Sequence, residues 1–186
     1  KRENVLELIN KLEQDDRKIL RSMGVKFGRY HIFLFKLFKP SSVSLRISLW
    51  KNFHQNYFNL KPPTFGLNFI EEKKSKDKNF MLLCGFEKFG NFYVRIDILE
   101  RLFMNIISSN PNKEKEIKLV PEMLNLLGCN KSNFLKLIQL MNYKYFEKEN
   151  ETYFKYVPKK IKKIKKYLLE GQKNSPFDVL NELNFK

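Results

Sequence analysis

The stretch Val120-Pro-Glu-Met-Leu-Asn-Leu-Leu-Gly-Cys-Asn-Lys-Ser-Asn-Phe-Leu-Lys-Leu-Ile-Gln-Leu-Met-Asn-Tyr143 decides the fold. Pro121 suits the first turn of a helix, where its missing N–H costs nothing, and Met123, Leu124, Leu126 and Leu127 give that helix an apolar face. Gly128 stops it, and Ser132 begins a second helix through Phe134, Leu135, Ile138 and Met141. After Asn142 the pattern changes. Tyr143-Lys-Tyr-Phe-Glu147 and Thr152-Tyr-Phe-Lys-Tyr-Val157 are β-rich runs joined by the polar Lys148-Glu-Asn-Glu151.

Helix, tight glycine turn, helix and hairpin is the order of a winged-helix unit, here spanning 120–157. The second helix and the hairpin tip of such a unit present Lys131, Asn133, Lys136, Gln139 and Lys144 to a groove or a backbone. Such units also serve as inert scaffolds, and both readings stand. Upstream, Phe80 to Phe86 reads as a buried strand, followed by a turn at Gly90-Asn91 and the run Phe92-Tyr-Val94. Asp97 and Glu100 stand at capping-box spacing ahead of a helix that runs to about Ser109. Two carboxylates so close also invite an acid–base reading, against which the cap is the expectation. The charged run from Glu71 to Asn79 and the prolines of Lys61-Pro-Pro63 mark a loop or linker.

At the other end, Val5, Leu8, Ile9, Leu12, Ile19, Leu20 and Met23 recur at helical spacing, predicting an amphipathic helix of about five turns from Glu3 to Met23. Val25 to Phe38, dense in aromatic and β-branched residues, reads as a short extended segment. Pro40 with Ser41-Ser42 offers a stop and an N-cap for a helix burying Val43, Ile47, Trp50 and Phe53, with Arg46 and Lys51 outside. The expected architecture is therefore α+β and mainly helical. Its parts are a helical, aromatic and basic region (1–60), a loop or linker (61–79), an α+β region carrying the winged-helix-like unit (80–157), and a basic tail with a short terminal helix (158–186).

The 186 residues carry 36 Lys and Arg against 20 Asp and Glu, a net charge of +16. Ala is absent while Lys, Asn, Phe and Ile abound, as in a protein from AT-rich coding sequence, so the distribution of charge says more than its sum. From Arg17 to Ile70 there are ten basic residues and no acidic one, and Pro158 to Lys186 holds eight basic against three acidic. An acid-free span of this length projects a positive field toward a polyanion. Within it Lys26, Arg29, Lys36, Lys39 and Arg46 are interleaved with Phe27, Tyr30, Phe33 and Phe35. Cations that neutralise phosphates beside rings that stack on bases suit a single nucleic-acid strand, although any one of these rings can equally be core. In the tail, Lys159, Lys160, Lys162 and Lys163 extend the basic surface. The Ile161, Ile164 and Leu168 stripe there would also suit an anionic membrane surface, the weaker reading without a second anchor.

Several classes are excluded or left without support. No apolar run approaches the roughly 20 residues that span a bilayer. Neither a Gly-x-x-x-x-Gly-Lys-Ser/Thr phosphate loop nor a Gly-x-Ser-x-Gly elbow occurs, so no catalytic residue is assigned. His31, His54, Cys84 and Cys129 are scattered singly, without the paired spacing of a zinc site, and no metal is expected. Two isolated cysteines fit a reducing, cytoplasmic setting. The chain opens at Lys1 without a signal-peptide pattern and is expected to be part of a longer polypeptide.

The run Leu12-Glu-Gln-Asp-Asp-Arg-Lys-Ile-Leu-Arg-Ser-Met-Gly-Val-Lys-Phe-Gly-Arg-Tyr-His-Ile-Phe-Leu34 followed by Lys39-Pro40 closely resembles the C-terminal region of bacterial relatives of the mitochondrial-type DEXH-box RNA helicases. The likeness continues in order through Cys84-Gly-Phe86, Val94-Arg-Ile-Asp-Ile-Leu-Glu-Arg-Leu102, Leu126-Leu-Gly-Cys129 with Phe134, Asn142-Tyr143 and Ser175-Pro-Phe177. It implies an ATP-dependent helicase of superfamily 2 whose two RecA-like motor domains, with their ATP and Mg²⁺, precede this region, leaving no cofactor here. The matched Phe27, Gly28, Tyr30, Asp97 and Arg101 look structural. Where the family pattern has Pro this chain has Phe35, and where it has Gly this chain has Asn142, which tolerates the same left-handed cap. The expected partners are RNA or DNA, single-stranded by preference, and the motor domains of the same polypeptide. The rival expectation is a protein-interaction module docking on the helicase core or a nuclease.

Overall fold

The computed structural model describes residues 1–54, 59–72, 77–109 and 116–158. It is α+β, with small antiparallel sheets set among helices. A single 3-10 turn, Arg2–Val5, leads into α1 (Leu6–Lys11) and α2 (Gln14–Ser22). The expected continuous helix is thus two. Leu12 is extended, and Glu13 opens α2 through a capping box in which its own N–H donates to Asp16 Oδ2 at 3.2 Å. The acidic cluster at residues 13–16 stabilises a helix start more than a helix interior. Arg17 Nη2 ties the two pieces together by donating to the Ile9 carbonyl at 2.9 Å.

Strands β1 (Val25–Phe27) and β2 (Ile32–Leu34) form a hairpin, so the expected extended segment folds back on itself. A 3-10 turn, Phe35–Phe38, then leads to α3 (Pro40–Phe53), where Pro40 is itself the first helical residue and Lys39 the extended residue before it. Val43 and Ile47 are buried as expected, but Phe53 is 83% exposed. Arg46 is half-buried rather than outside.

The run read as a strand from Phe80 is a helix, α4 (Lys78–Leu83). Asp77 caps it by accepting the Phe80 N–H at 2.7 Å. Phe80, Met81 and Cys84 lie at helical spacing and pack with Val43 and Ile47 into one core. Gly85, at φ +91°, ends α4 where an added Cβ would meet a Phe38 ring carbon at 2.8 Å. Only then does the chain extend, as β4 (Phe86–Phe89) and β5 (Phe92–Arg95), joined by the anticipated turn at Gly90. Strand β3 (Phe69–Glu71), within the span read as linker, pairs with the other edge of β5. The sheet order β3-β5-β4 makes β5 the central strand, buried on both faces. Its Tyr93 enters the core of α3 and α4, while Phe92 and Val94 enter a second core.

That second core belongs to α5 (Ile96–Ser108), α6 (Pro121–Leu127), α7 (Lys131–Leu140) and the sheet of β6 (Ile117–Lys118), β8 (Glu151–Tyr156) and β7 (Tyr143–Lys148), in that spatial order. Gly128 caps α6 in the left-handed region at φ +69°, as anticipated. The cap of α7 is Asn130, whose side chain accepts the Asn133 N–H at 2.8 Å, two residues earlier than expected. Asn142 stands at φ +69° between α7 and β7, in the left-handed region that Asn tolerates. A two-residue turn, Glu149-Asn150, closes the hairpin with both φ values positive. No helix among the described residues is long and apolar enough to cross a membrane.

Candidate nucleic-acid interface

Strand β1 is three residues long and exposes its middle one, Lys26. The loop that follows, 28–31, is held from beneath by Glu100 on α5. Its Oε2 accepts the Arg29 N–H at 2.6 Å, and its Oε1 accepts those of Tyr30 at 2.9 Å and His31 at 2.8 Å. Gly28 is obligatory, because a Cβ there would lie 2.4 Å from Glu100 Cδ and 2.7 Å from the His31 carbonyl oxygen. Glu100, deeper in α5 than N3, is therefore not the partner of a capping box but the acceptor that holds the loop. Asp97 is equally committed, receiving Nε and Nη2 of Arg95 at 2.6 and 3.0 Å. Arg95 is the N-cap residue of α5 and makes no side-chain capping bond.

His31, 4% exposed, sits between two carboxylates. Its Nε2 is 3.0 Å from Glu87 Oε2, and its Nδ1 is 3.5 Å from Glu100 Oε1, an ionic contact without hydrogen-bond geometry. Lys1 Nζ reaches the other Glu87 oxygen at 2.6 Å. Burial works against the imidazolium, but the attraction of Glu100 and Glu87 outweighs it and raises the pKa of His31. Burial likewise opposes both carboxylate charges, yet His31 and the loop N–H groups hold Glu100 below its ordinary value, and His31 with Lys1 does the same for Glu87.

With its acids spent internally, this corner leaves a cleft of about 340 Å³ between the hairpin and α5. Phe27, Phe33 and Phe35 line it from the hairpin side, and Phe103, Met104 and Ile107 from the helix. Phe35, Met104 and Ile107 are exposed there, while Phe103 is buried. Lys26, Arg29 and Arg101 stand around the same cleft, all three exposed. Arg29 lies over the Phe103 ring, 5.6 Å from its centroid. Lys26 and Arg101 pair with no carboxylate among the described residues. Asp97 and Glu100 also line the cleft, their carboxylates held by Arg95 and by the 28–31 loop, and the exposed Phe35 ring beside the half-buried Phe27 and Phe33 can stack a base whose phosphates the cations hold.

The predicted site residues divide. Lys26 and Arg29 meet at the cleft. Lys36 and Lys39 are exposed at the 3-10 turn and the head of α3, outside the cleft lining. Arg46 lines a different pocket, beside His31 and Phe38. On α7, Lys131 Nζ lies 3.7 Å from Glu147, and Asn133 Nδ2 donates to Glu71 at 2.9 Å, tying α7 to β3. Lys136 is exposed at a shallow hollow shared with Glu71 and Gln139. Lys159, Lys160, Lys162 and Lys163 lie outside the described residues. Of the interleaved rings, Tyr30 is a packing residue, edge-on to Phe103 with centroids 4.5 Å apart.

Arg101, Met104 and Ile107 were missed as site residues. Their signal was a three-residue spacing that puts them on one face of the helix, apart from the buried Leu99, Leu102, Phe103 and Ile106. Among the described residues no group of three or more His, Cys, Asp or Glu could hold a metal ion. Burial pushes the Cys129 thiol up to about 11, so it stays protonated at neutral pH. Comparison of the chain with protein-family models, curated proteins and solved structures finds no match.

Proposed function

We propose that this chain is the accessory nucleic-acid-binding region of an ATP-dependent helicase, holding a single strand while motor domains elsewhere in the polypeptide supply the energy. The observation that carries the binding role is the cleft beneath the β1–β2 hairpin, where the exposed Phe35 ring and the half-buried Phe27 and Phe33 converge with the exposed Lys26, Arg29 and Arg101. The helicase context rests on the sequence resemblance. In this reading Phe35 and Phe33 offer faces for bases, and the three cations take phosphates from the same strand. Holding is passive, raising the local concentration of substrate at the motor. The winged-helix-like unit, 120–157, then acts as the scaffold against which α5 packs, and α5 carries Glu100 and Arg101 under the hairpin.

The test is fluorescence anisotropy of the 186-residue chain with a labelled single-stranded oligouridylate and with its duplex. Preference for the single strand, lost in Phe35→Ala, supports the reading. Equal affinity for both, or an unaffected variant, counts against base stacking. A second reading, a module docking onto a protein partner, is favoured by the outer face of α3, where Leu45, Leu49 and Phe53 recur every four residues and all are exposed. Co-elution with the motor domains, without any shift of the oligonucleotide, would select it.

A further inference from the structure

Beside the β1–β2 hairpin, sharing only Phe33 with the cleft, lies a separate pocket of about 450 Å³, walled chiefly by aliphatic and phenyl groups, among them Ile32, Leu34, Leu37, Phe38 and Leu82. One charged group in it lacks a counter-ion. Lys1 and His31 both face Glu87, but Arg46 makes no hydrogen bond or ion pair with any described residue, and its Nε is shielded from solvent without an acceptor. An arginine cannot shed its proton to escape the cost of this one shielded, unpaired Nε–H, and although Arg46 as a whole is only half-buried, an anion at its guanidinium would meet that group. Burial depresses its pKa, opposed by the neighbouring Cys84 and by no carboxylate. The anion must come with an apolar body to match the walls. Leu34, Leu37 and Leu82 are each more than a third exposed, so the apolar surface continues past the cavity, as a peptide would require and a small free acid would not.

We infer that this pocket is a docking site for an apolar peptide segment of a protein partner carrying a single Glu or Asp, whose carboxylate pairs with Arg46. The pocket volume falls within the roughly 300–1,000 Å³ typical of sites that enclose a ligand. The site is distinct from the cleft, uses none of its residues except Phe33, and stands whether or not the chain binds nucleic acid.

The probe is the blocked peptide Ser-Leu-Leu-Glu-Leu-Leu-Ser, titrated into the ¹⁵N-labelled chain while the Arg46 Nε–H and the methyls of Leu34 and Leu37 are followed by NMR. The Glu peptide should bind at least tenfold tighter than its Gln counterpart and shift all three signals. In Arg46→Met the preference should vanish, and in Arg46→Lys it should persist in weakened form. Arg46→Met should also melt no lower than the parent, because it replaces an uncompensated cation by an apolar group of similar length. Equal binding of the two peptides, a preference that survives Arg46→Met, or free hexanoate binding as tightly as the peptide would each overturn the proposal. So would the absence of binding by either peptide.

Discussion

The half built from α5 to β8 and the half built around the β1–β2 hairpin and α3 spend their side chains differently. In the first, Phe134, Leu137, Ile138, Leu127 and Phe154 are sealed, and the polar groups largely satisfy one another: Asn130 caps α7, Lys118 pairs with Glu151, and Asn133 reaches Glu71. In the second, apolar groups such as Phe35, Leu45, Leu49 and Phe53 remain exposed, and Lys26 and Arg46 lack a partner among the described residues. A region that closes on itself specifies a fold, whereas one that leaves rings and cations uncommitted has surface to offer to something else. In the proposed reading, the contrast places stability in the C-terminal half and recognition at the hairpin, with α5 forming the far wall of the cleft.

The largest expected effect is in the closed half. Phe134→Ala should cost about 3–5 kcal/mol in urea unfolding, since the residue is fully buried and the site cannot collapse around the loss. If it costs under about 1 kcal/mol, that core is not the stabilising element. Next comes the seam between the halves. Glu100→Ala strands three loop N–H groups, each left unsatisfied at about 1–3 kcal/mol, and should free the 28–31 loop, seen as faster amide exchange at Arg29 to His31.

The same seam sets a pH dependence. The raised pKa of His31 contributes stability that is complete below its ordinary 6.5 and is lost as pH climbs through the folded value. The lowered carboxylates, Glu87 and Glu100, contribute stability that is complete above their ordinary 4.5 and is lost as pH falls through their folded values. The contribution of this network should therefore be greatest between pH 4.5 and 6.5. His31→Gln should flatten the alkaline flank of a plot of unfolding free energy against pH, and a flank that is unchanged would deny His31 its charge. Asn142→Ala, at φ +69°, should lose about 1–2 kcal/mol, while Asn142→Gly should be close to neutral. Smallest of all, Phe35→Ala should move stability by no more than about 0.5 kcal/mol while weakening oligonucleotide binding by about 1–3 kcal/mol, a split that only an exposed, functional ring would show.

How much of this could be read from the sequence follows from which interactions are local. The α6, Gly128, α7, Asn142 and hairpin series was legible because caps, left-handed positions and period changes are written within a few residues of where they act. The strand expected at Phe80 failed because an apolar run of seven residues fits either period, and only the cap at Asp77 and the packing against α3 select the helix. Strand β3 was hidden because Phe69–Glu71 gains its partners from β5, more than twenty residues away. Lys26 and Arg29, which line the cleft, were singled out by charge pattern alone. Arg101 was not, because its membership of the cleft depends on Glu100 binding a loop 70 residues distant. Arg46 was placed outside α3 by its helical phase, and the hairpin and the 3-10 turn that cover it lie elsewhere in the sequence.

The central claim is that the cleft between the β1–β2 hairpin and α5 grips a polyanionic strand through its cations. The most direct measurement is the slope of log binding constant against log salt for single-stranded oligouridylate, taken for the parent chain and for the combined Lys26→Gln, Arg29→Gln and Arg101→Gln variant. Each lost phosphate contact should reduce the slope by about 0.7, so the variant should fall short of the parent by about 2. A variant that keeps the parent's slope, or a parent chain whose affinity does not change with salt, would contradict it.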